Sequence, residues 1–167
     1  MLIQFTDFGS IRALLGVSDD ELSDDVLILP VYENQLRVKL SALSASLVGD
    51  YLTTATLTAP ASLDSDFLRS VQLFSSYSVA LHLAKSLPMF APKTLTDGKA
   101  SFTRFSEAAK EVAHNLAGDL VGVTKGVQGA YAAWKGETYT EPTPTYGLLW
   151  VSPPYDTRVT NSEVVRN

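Results

Sequence analysis

The clearest hydrophobic pattern in the chain runs from about Ser101 to Trp134, where apolar residues recur at steps of three and four. On a helical wheel these residues fall within about 80°, which is typical of one amphipathic helix, here about 50 Å long. The stripe contains Phe102, Phe105, Ala109, Val112, Leu116, Leu120, Val123, Val127, Tyr131 and Trp134. The pattern therefore predicts a long helix with one buried face.

The same stretch contains Gly118, Gly122 and Gly126 at steps of four, on a line roughly 135° from the centre of the apolar stripe. Each glycine inside a helix costs about 1 kcal/mol relative to alanine. Two interpretations follow: either the helix breaks in this region, or the glycines form a smooth groove into which another backbone fits. Under the second interpretation, we hypothesise that the glycine line is an interface between subunits.

An earlier helical pattern extends from Ser23 to about Thr53. Its stripe, roughly 100° wide, contains Leu29, Tyr32, Leu36, Leu40, Leu43, Leu47 and Tyr51. Pro30 lies inside the pattern, and we expect it either to kink the helix or to begin a second segment at its own position. The outward face after Lys39 is small and uncharged and includes Ser41 and Ser44. Such a face suits contact with a neighbour, and a solvated serine-rich surface explains it equally well.

Two further helices complete the prediction. Asp7 is a candidate N-cap for a short first helix that Gly16 would end, because glycine readily adopts the left-handed conformation at helix ends. The linker TTATLTAPAS leads to a helix over about residues 64–87, which is apolar on most of its circumference and should be the most enclosed element. The predicted fold is mainly α: an antiparallel bundle of three main helices plus a short N-terminal helix, in one domain over residues 1–135.

The sequence changes character after Gly136. Residues 136–167 contain four of the eight prolines and no helical period, so they are predicted to form an extended C-terminal arm. The arm concentrates apolar and aromatic side chains: Tyr146, Leu148, Leu149, Trp150, Val151 and Tyr155. An extended segment of this kind suits addition of a β-strand to a partner, or insertion into a partner's groove. The alternative is that the arm folds back over its own bundle.

Composition and charge narrow the function. The 167 residues carry a net charge of −5, which argues against a protein whose main task is to bind nucleic-acid phosphates. The chain has no cysteine, and neither of its two histidines, His82 and His114, lies in a nucleophile motif. His82 is expected to be a packed or capping residue and His114 a surface residue. We therefore expect no enzyme activity, no catalytic residues, no metal site and no cofactor.

No secretory signal pattern and no apolar run long enough to span a membrane occur in the sequence. We therefore expect a protein made in the cytoplasm, with no membrane partner.

Three features of the chain are similar to the head-to-tail adaptor, or head-completion, proteins of tailed bacteriophages. Two are the segments FGSIRALLGVSDDELSDDVLILPVYENQL and LFSSYSVALHLAKSLPMFAPKTLTDGKASFTRF. The third is the order of a short first helix, a helical bundle and a trailing arm. The resemblance extends over most of the chain up to Trp134, and it rests on layout more than on invariant residues.

The resemblance implies a structural protein of the virion neck, made in the host cytoplasm. Twelve copies would form a ring beneath the portal protein, with the arm clasping the portal. DNA would pass through the ring without sequence-specific binding, toward a stopper or tail terminator protein. Negative charge would suit a channel wall that repels DNA phosphates. Two alternatives stay open: another neck or tail-completion protein, or a soluble helical module that binds a protein through the arm.

Overall fold

The computed structural model describes residues 1–86, 95–97, 100–102 and 106–141, and these residues are mainly helical. A 3-10 turn, Leu2–Gln4, comes first. The later elements in chain order are α1 (Phe8–Leu15), α2 (Asp24–Leu27), α3 (Pro30–Leu43), α4 (Leu47–Thr54), α5 (Ser62–Ser86), β1 (Leu95–Asp97), β2 (Ala100–Phe102) and α6 (Ser106–Lys135). The two strands pair antiparallel, with Leu95 opposite Phe102. The mainly α prediction is confirmed, although six helices replace the predicted four.

The predicted caps of the first helix are present. The Asp7 carboxylate accepts a hydrogen bond from the Ser10 backbone N–H at 2.7 Å. Gly16 ends α1 in the left-handed conformation, with a φ of 67°. A residue with a side chain is strained at this φ, which explains why the helix ends at a glycine.

The turn that follows α1 is held by Arg12, a side chain only 8% exposed. Its Nε donates a hydrogen bond to the Leu22 carbonyl oxygen at 2.8 Å. The guanidinium also forms ion pairs with Asp19, at 3.1 Å, and with Asp24. Arg12 therefore joins α1 to the first turn of α2 and gives two of the acidic residues there a partner.

The predicted helix from Ser23 to Thr53 is wrong as one element, because the structure divides it into α2, α3 and α4. Pro30 begins α3 at its own position, which is one of the two alternatives predicted for it. A second break, at Ser44, was not predicted: its backbone is extended, with φ −160° and ψ 135°. The apolar period continues across this break because Leu40 and Leu47 are both buried in the same core.

The most enclosed element is α5, as predicted, and it contacts α1, α3, α4 and α6. Phe67 and Val71 are fully buried on it. It begins at Ser62, and the Asp64 carboxylate accepts a hydrogen bond from the Ala61 backbone N–H at 2.9 Å. The Asp64 carboxylate thus provides an acceptor for a backbone N–H group at the start of the helix, where the helix itself provides none.

The last helix begins at Ser106 instead of Ser101, because Ser101 and Phe102 belong to β2. Phe105 lies outside the described residues. From Ser106 to Lys135 the helix is continuous, which excludes the first of the two interpretations, a break among the glycines. Within the predicted stripe, Leu116 and Val127 are buried. The end of α6 lies beside the start of α5, so the two helices are antiparallel.

Candidate functional site

Near the middle of α6, no described residue covers the side of the helix that faces away from α5. Gly118, Gly122 and Gly126 are exposed, and a Cβ atom added at any of them would meet no atom within 4 Å. Val121, beside them, is 59% exposed. We call these four residues the α6 strip. It is a smooth surface on an unbroken helix, which is the geometry that the second interpretation of the glycines requires.

The two serines predicted to join this interface lie on a different helix. Ser41 is exposed near the end of α3, and Ser44 is half-buried as the C-cap of that helix. The hydroxyl of the nearby Ser46 lies 2.7 Å from the hydroxyl of Tyr131 on α6. One serine next to Ser44 therefore contacts α6 of the same chain.

The first residues of the predicted arm turn back along α6. Gly136 ends the helix with a φ of 74° and reverses the direction of the chain. The Tyr139 hydroxyl then donates a hydrogen bond to Gln128 Oε1 at 3.0 Å. The Glu141 carboxylate forms an ion pair with Lys125, and this bond raises the pKa of Lys125. Residues 136–141 thus follow the helix toward its N-terminus.

The arm residues predicted to bind a partner lie outside the described part of the chain. They are Tyr146, Leu148, Leu149, Trp150, Val151 and Tyr155.

A cluster of aromatic rings joins the end of α6 to α4 and α5. The centroid of the Phe67 ring lies 5.3 Å from that of Tyr131 and 5.0 Å from that of Trp134. The rings of Tyr51 and Phe5 extend the cluster toward the N-terminus, with centroids 5.3 Å apart. Offset ring pairs at these separations contribute about 0.5–1.5 kcal/mol each beyond the burial of their surface.

Asp50 is the polar centre of this junction. Its Oδ2 accepts a hydrogen bond from the Tyr131 hydroxyl at 2.5 Å. The same oxygen forms an ion pair with Lys135 Nζ at 2.9 Å. Both contacts hold the pKa of Asp50 below its usual value, and the hydrogen bond from Tyr131 has the larger effect. The contact with Asp50 in turn raises the pKa of Lys135. Trp134 Nε1 donates to Asp64 Oδ1 at 2.8 Å.

This junction was not predicted from the sequence. The available signal was Asp50 itself, the first charged residue after Lys39 in an otherwise uncharged run.

A groove of about 570 Å³ lies between the N-terminal segment and α5. It is lined by Ile3, Thr6, Asp7, Ser10, Ala13, Leu14, Arg69, Gln72, Leu73, Ser76 and Tyr77. Its apolar rim is exposed at Ile3 and Leu73, which are 62% and 50% exposed. At its base the hydroxyls of Thr6 and Ser76 are hydrogen-bonded to each other at 2.5 Å.

The two histidines occupy the environments predicted for them. His82 is half-buried, with its ring edge-on to Tyr32 at a centroid distance of 5.8 Å. Burial lowers its pKa, and the neighbouring Lys39 and Lys85 lower it further. His114 is exposed on α6. The Ser78 hydroxyl, in the wall of a small cavity beside His82, is buried without a hydrogen-bond partner in the described structure.

Within the described ranges, no group of three or more His, Asp or Glu side chains is placed to hold a metal ion. The helices of those ranges also include none with the length and apolar character of a membrane span. No family model, curated protein or solved structure matches the chain.

Proposed function

We propose that the chain is a structural virion protein without catalytic activity, the head-to-tail adaptor that forms a ring beneath the portal of a tailed phage. The observation that supports this function is the α6 strip, because a subunit of a ring needs a side surface on which its neighbour packs. Open glycines let a second backbone come close, and Val121 supplies apolar surface that such a contact would bury. The proposed location in the neck rests on the resemblance of the sequence to adaptor proteins.

In this proposal the arm is the contact to the portal. Its apolar segment, from Tyr146 to Tyr155, would add to a strand or enter a groove of the portal ring. The ring would contain twelve copies, would conduct DNA without reading its sequence, and would bind a stopper or tail terminator on its other side.

The α6 strip is tested by replacing Gly122 with leucine. A Cβ atom added at Gly122 meets no described atom within 4 Å, so helicity should be retained. Self-association should weaken by at least about tenfold, the loss expected when a close contact worth about 1.4 kcal/mol or more is blocked. Gly49→Leu is the matched control, since Gly49 is also exposed and helical with open space around it. Sedimentation measures association, and an unchanged constant for G122L would contradict the proposed interface.

The portal contact is tested by electron microscopy. The full chain and a chain without residues 137–167 are mixed with candidate portal rings. Rings that bind only when the arm is present would support the adaptor function.

A protein-binding module is the second candidate function, and the groove beside α5 favours it. Exposed Ile3 and Leu73 on the rim of a concave surface are typical of a site that receives an apolar side chain or helix. Under this function the chain stays monomeric with portal rings, and Leu73→Asp abolishes partner binding while G122L has no effect.

A further inference from the structure

We propose that the small cavity between α3 and α5, beside His82, binds one anion of the size of chloride. Its polar lining comes from Tyr32, Gln35 and Lys39 of α3 and from Ser78 and His82 of α5. We call it the α3–α5 cavity. It lies apart from the α6 strip, and the inference does not depend on the proposed function, because it applies to a single chain in solution.

The helical period places these polar side chains opposite one another. Tyr32, Gln35 and Lys39 recur at steps of three and four, so they share one side of α3. Ser78 and His82 are four residues apart and share one side of α5. The rings of Tyr32 and His82, with centroids 5.8 Å apart, hold the two sides together. The enclosed volume is about 10 Å³, which is room for one particle of about the size of a water molecule.

Ser78 supplies a hydrogen-bond donor at this cavity. The residue is 2% exposed, and its hydroxyl has no hydrogen-bond partner among the described residues. The nearby Ser75 differs, because its hydroxyl donates to the Val71 carbonyl oxygen at 2.6 Å. Buried polar groups in proteins are nearly always hydrogen-bonded. A guest that accepts a hydrogen bond would therefore satisfy the Ser78 hydroxyl.

The charge around the cavity is positive. Lys39 Nζ lies 3.4 Å from the Ser78 carbonyl oxygen, to which it donates a hydrogen bond. His82 lines the same cavity, and Lys85 follows three residues later on α5. Within the described ranges, none of these three basic side chains forms an ion pair with a carboxylate. Burial lowers the pKa of Lys39, and Lys85 lowers it further, so the basic groups repel one another when charged.

These features together select a small anion. An anion accepts hydrogen bonds from the Ser78 hydroxyl and the Lys39 ammonium, and its charge offsets the repulsion among the basic groups. A volume of about 10 Å³ is too small for a phosphate, a sulfate or a carboxylate group. A monatomic anion such as chloride is close to the size of water. The surrounding positive charge favours it over a neutral water molecule.

Bound chloride should raise the pKa of His82. The titratable groups that face His82 in the described structure are Tyr32 and Lys39 from α3, and Lys85 from its own helix. A negative charge in the cavity favours the protonated ring, so the pKa should rise by about 1 when the site is filled. Because the coupling is reciprocal, chloride should bind more tightly below this pKa than above it.

An NMR titration of the full-length chain measures this effect, because His82 and His114 are its only histidines. Sodium chloride is compared with sodium gluconate at the same ionic strength, since gluconate screens charges equally and is too large for the cavity. The pKa of His82 should be higher by about 1 in chloride. The pKa of His114, which is exposed on α6, should be the same in both salts. Equal His82 values in the two salts would overturn the inference.

Two variants locate the ion. Ser78→Ala removes the hydroxyl, and Lys39→Met removes the ammonium while keeping most of the aliphatic stem. Each should abolish the difference between chloride and gluconate at His82, whereas Lys110→Met, at an exposed position of α6, should keep it. Urea denaturation in gluconate checks the fold, and S78A should be at least as stable as wild type there. A difference that persists in S78A would place the ion elsewhere and overturn the site.

Crystals soaked in bromide give a direct check, because bromide has the charge of chloride and scatters anomalously. An anomalous peak in contact with Ser78 Oγ and Lys39 Nζ would support the site. Density for a water molecule without an anomalous peak, or a carboxylate in the cavity, would overturn it.

Discussion

Removal of one hydroxyl group tests the junction between α4 and α6. The Tyr131→Phe substitution keeps the ring that packs on Phe67 and Trp134 and removes only the oxygen. That oxygen donates to the Asp50 carboxylate at 2.5 Å and lies 2.7 Å from the Ser46 hydroxyl. The variant therefore loses one hydrogen bond to a charged acceptor and one between neutral groups, while the Lys135–Asp50 ion pair stays.

The magnitude follows from these two bonds. A hydrogen bond to a charged group contributes about 1.5–3 kcal/mol and a neutral one about 0.5–1.5 kcal/mol. Because Asp50 is partly exposed, water replaces part of the lost interaction, so each hydrogen bond is given a value near the lower end of its range. We expect the free energy of unfolding to fall by about 2 kcal/mol, which lowers the Tm by about 4–8 °C in a chain of this size.

The loss should depend on pH. The Tyr131 hydrogen bond is the largest cause of the lowered pKa of Asp50, so Asp50 stabilises the folded state above the unfolded pKa of about 3.9. This contribution disappears as the pH falls through the lower pKa of the folded state. The difference between wild type and Y131F should therefore be constant from pH 7 to about pH 4, and should shrink below that.

Urea denaturation followed by circular dichroism measures the difference at each pH. Tyr77→Phe is the control, because the Tyr77 ring is half-buried and its hydroxyl makes no hydrogen bond to the described residues. A loss below about 0.5 kcal/mol for Y131F at pH 7, or a loss equal to that of Y77F, would refute the role assigned to the hydroxyl. A loss that persists unchanged in acid would refute the role assigned to Asp50.

Three other substitutions test buried polar groups. Ser78→Ala removes a buried hydroxyl that has no partner in the described structure, so urea denaturation in chloride-free buffer should find equal or greater stability. Ser75→Ala removes a 2.6 Å hydrogen bond to a backbone carbonyl, so the free energy of unfolding should fall by about 0.5–1.5 kcal/mol. Arg12→Met leaves the buried Leu22 carbonyl without its donor, so the free energy of unfolding should fall by about 2 kcal/mol. An unchanged Tm would contradict the role of Arg12 in joining α1 to the acidic turn.

Local signals were enough to predict most of the helices. Asp7 and Gly16 bound the first helix through backbone chemistry that acts within a few residues, and Pro30 begins α3 for the same kind of reason. The apolar stripe of the last helix also identified Leu116 and Val127 as buried residues.

The break at Ser44 could not be predicted, because no glycine or proline marks it. The apolar period also passes through it without a change of phase, since α3 and α4 bury their apolar residues in one core. The start of the last helix was missed for a related reason. Phe102 satisfies the helical period, and it is nevertheless held in a strand by pairing with Leu95.

The α6 strip was predicted from spacing, whereas the aromatic junction was not. Glycines at steps of four lie on one line of any continuous helix, so their placement needs no tertiary information. The partners of the junction come from separate helices, and no period in the sequence relates Asp50 to Tyr131 or Asp64 to Trp134.

The separation of these partners along the chain has a consequence for the order of folding. Asp64 and Trp134 are 70 residues apart, and Asp50 and Tyr131 are 81 residues apart. Closing a flexible loop of that length costs about 4 kcal/mol of chain entropy. We therefore expect the contacts of the helical N-terminal half to form before the end of α6 docks. Weakening the junction would then accelerate unfolding and leave the refolding rate nearly unchanged, so its strength sets the lifetime of the folded chain more than the speed of its formation.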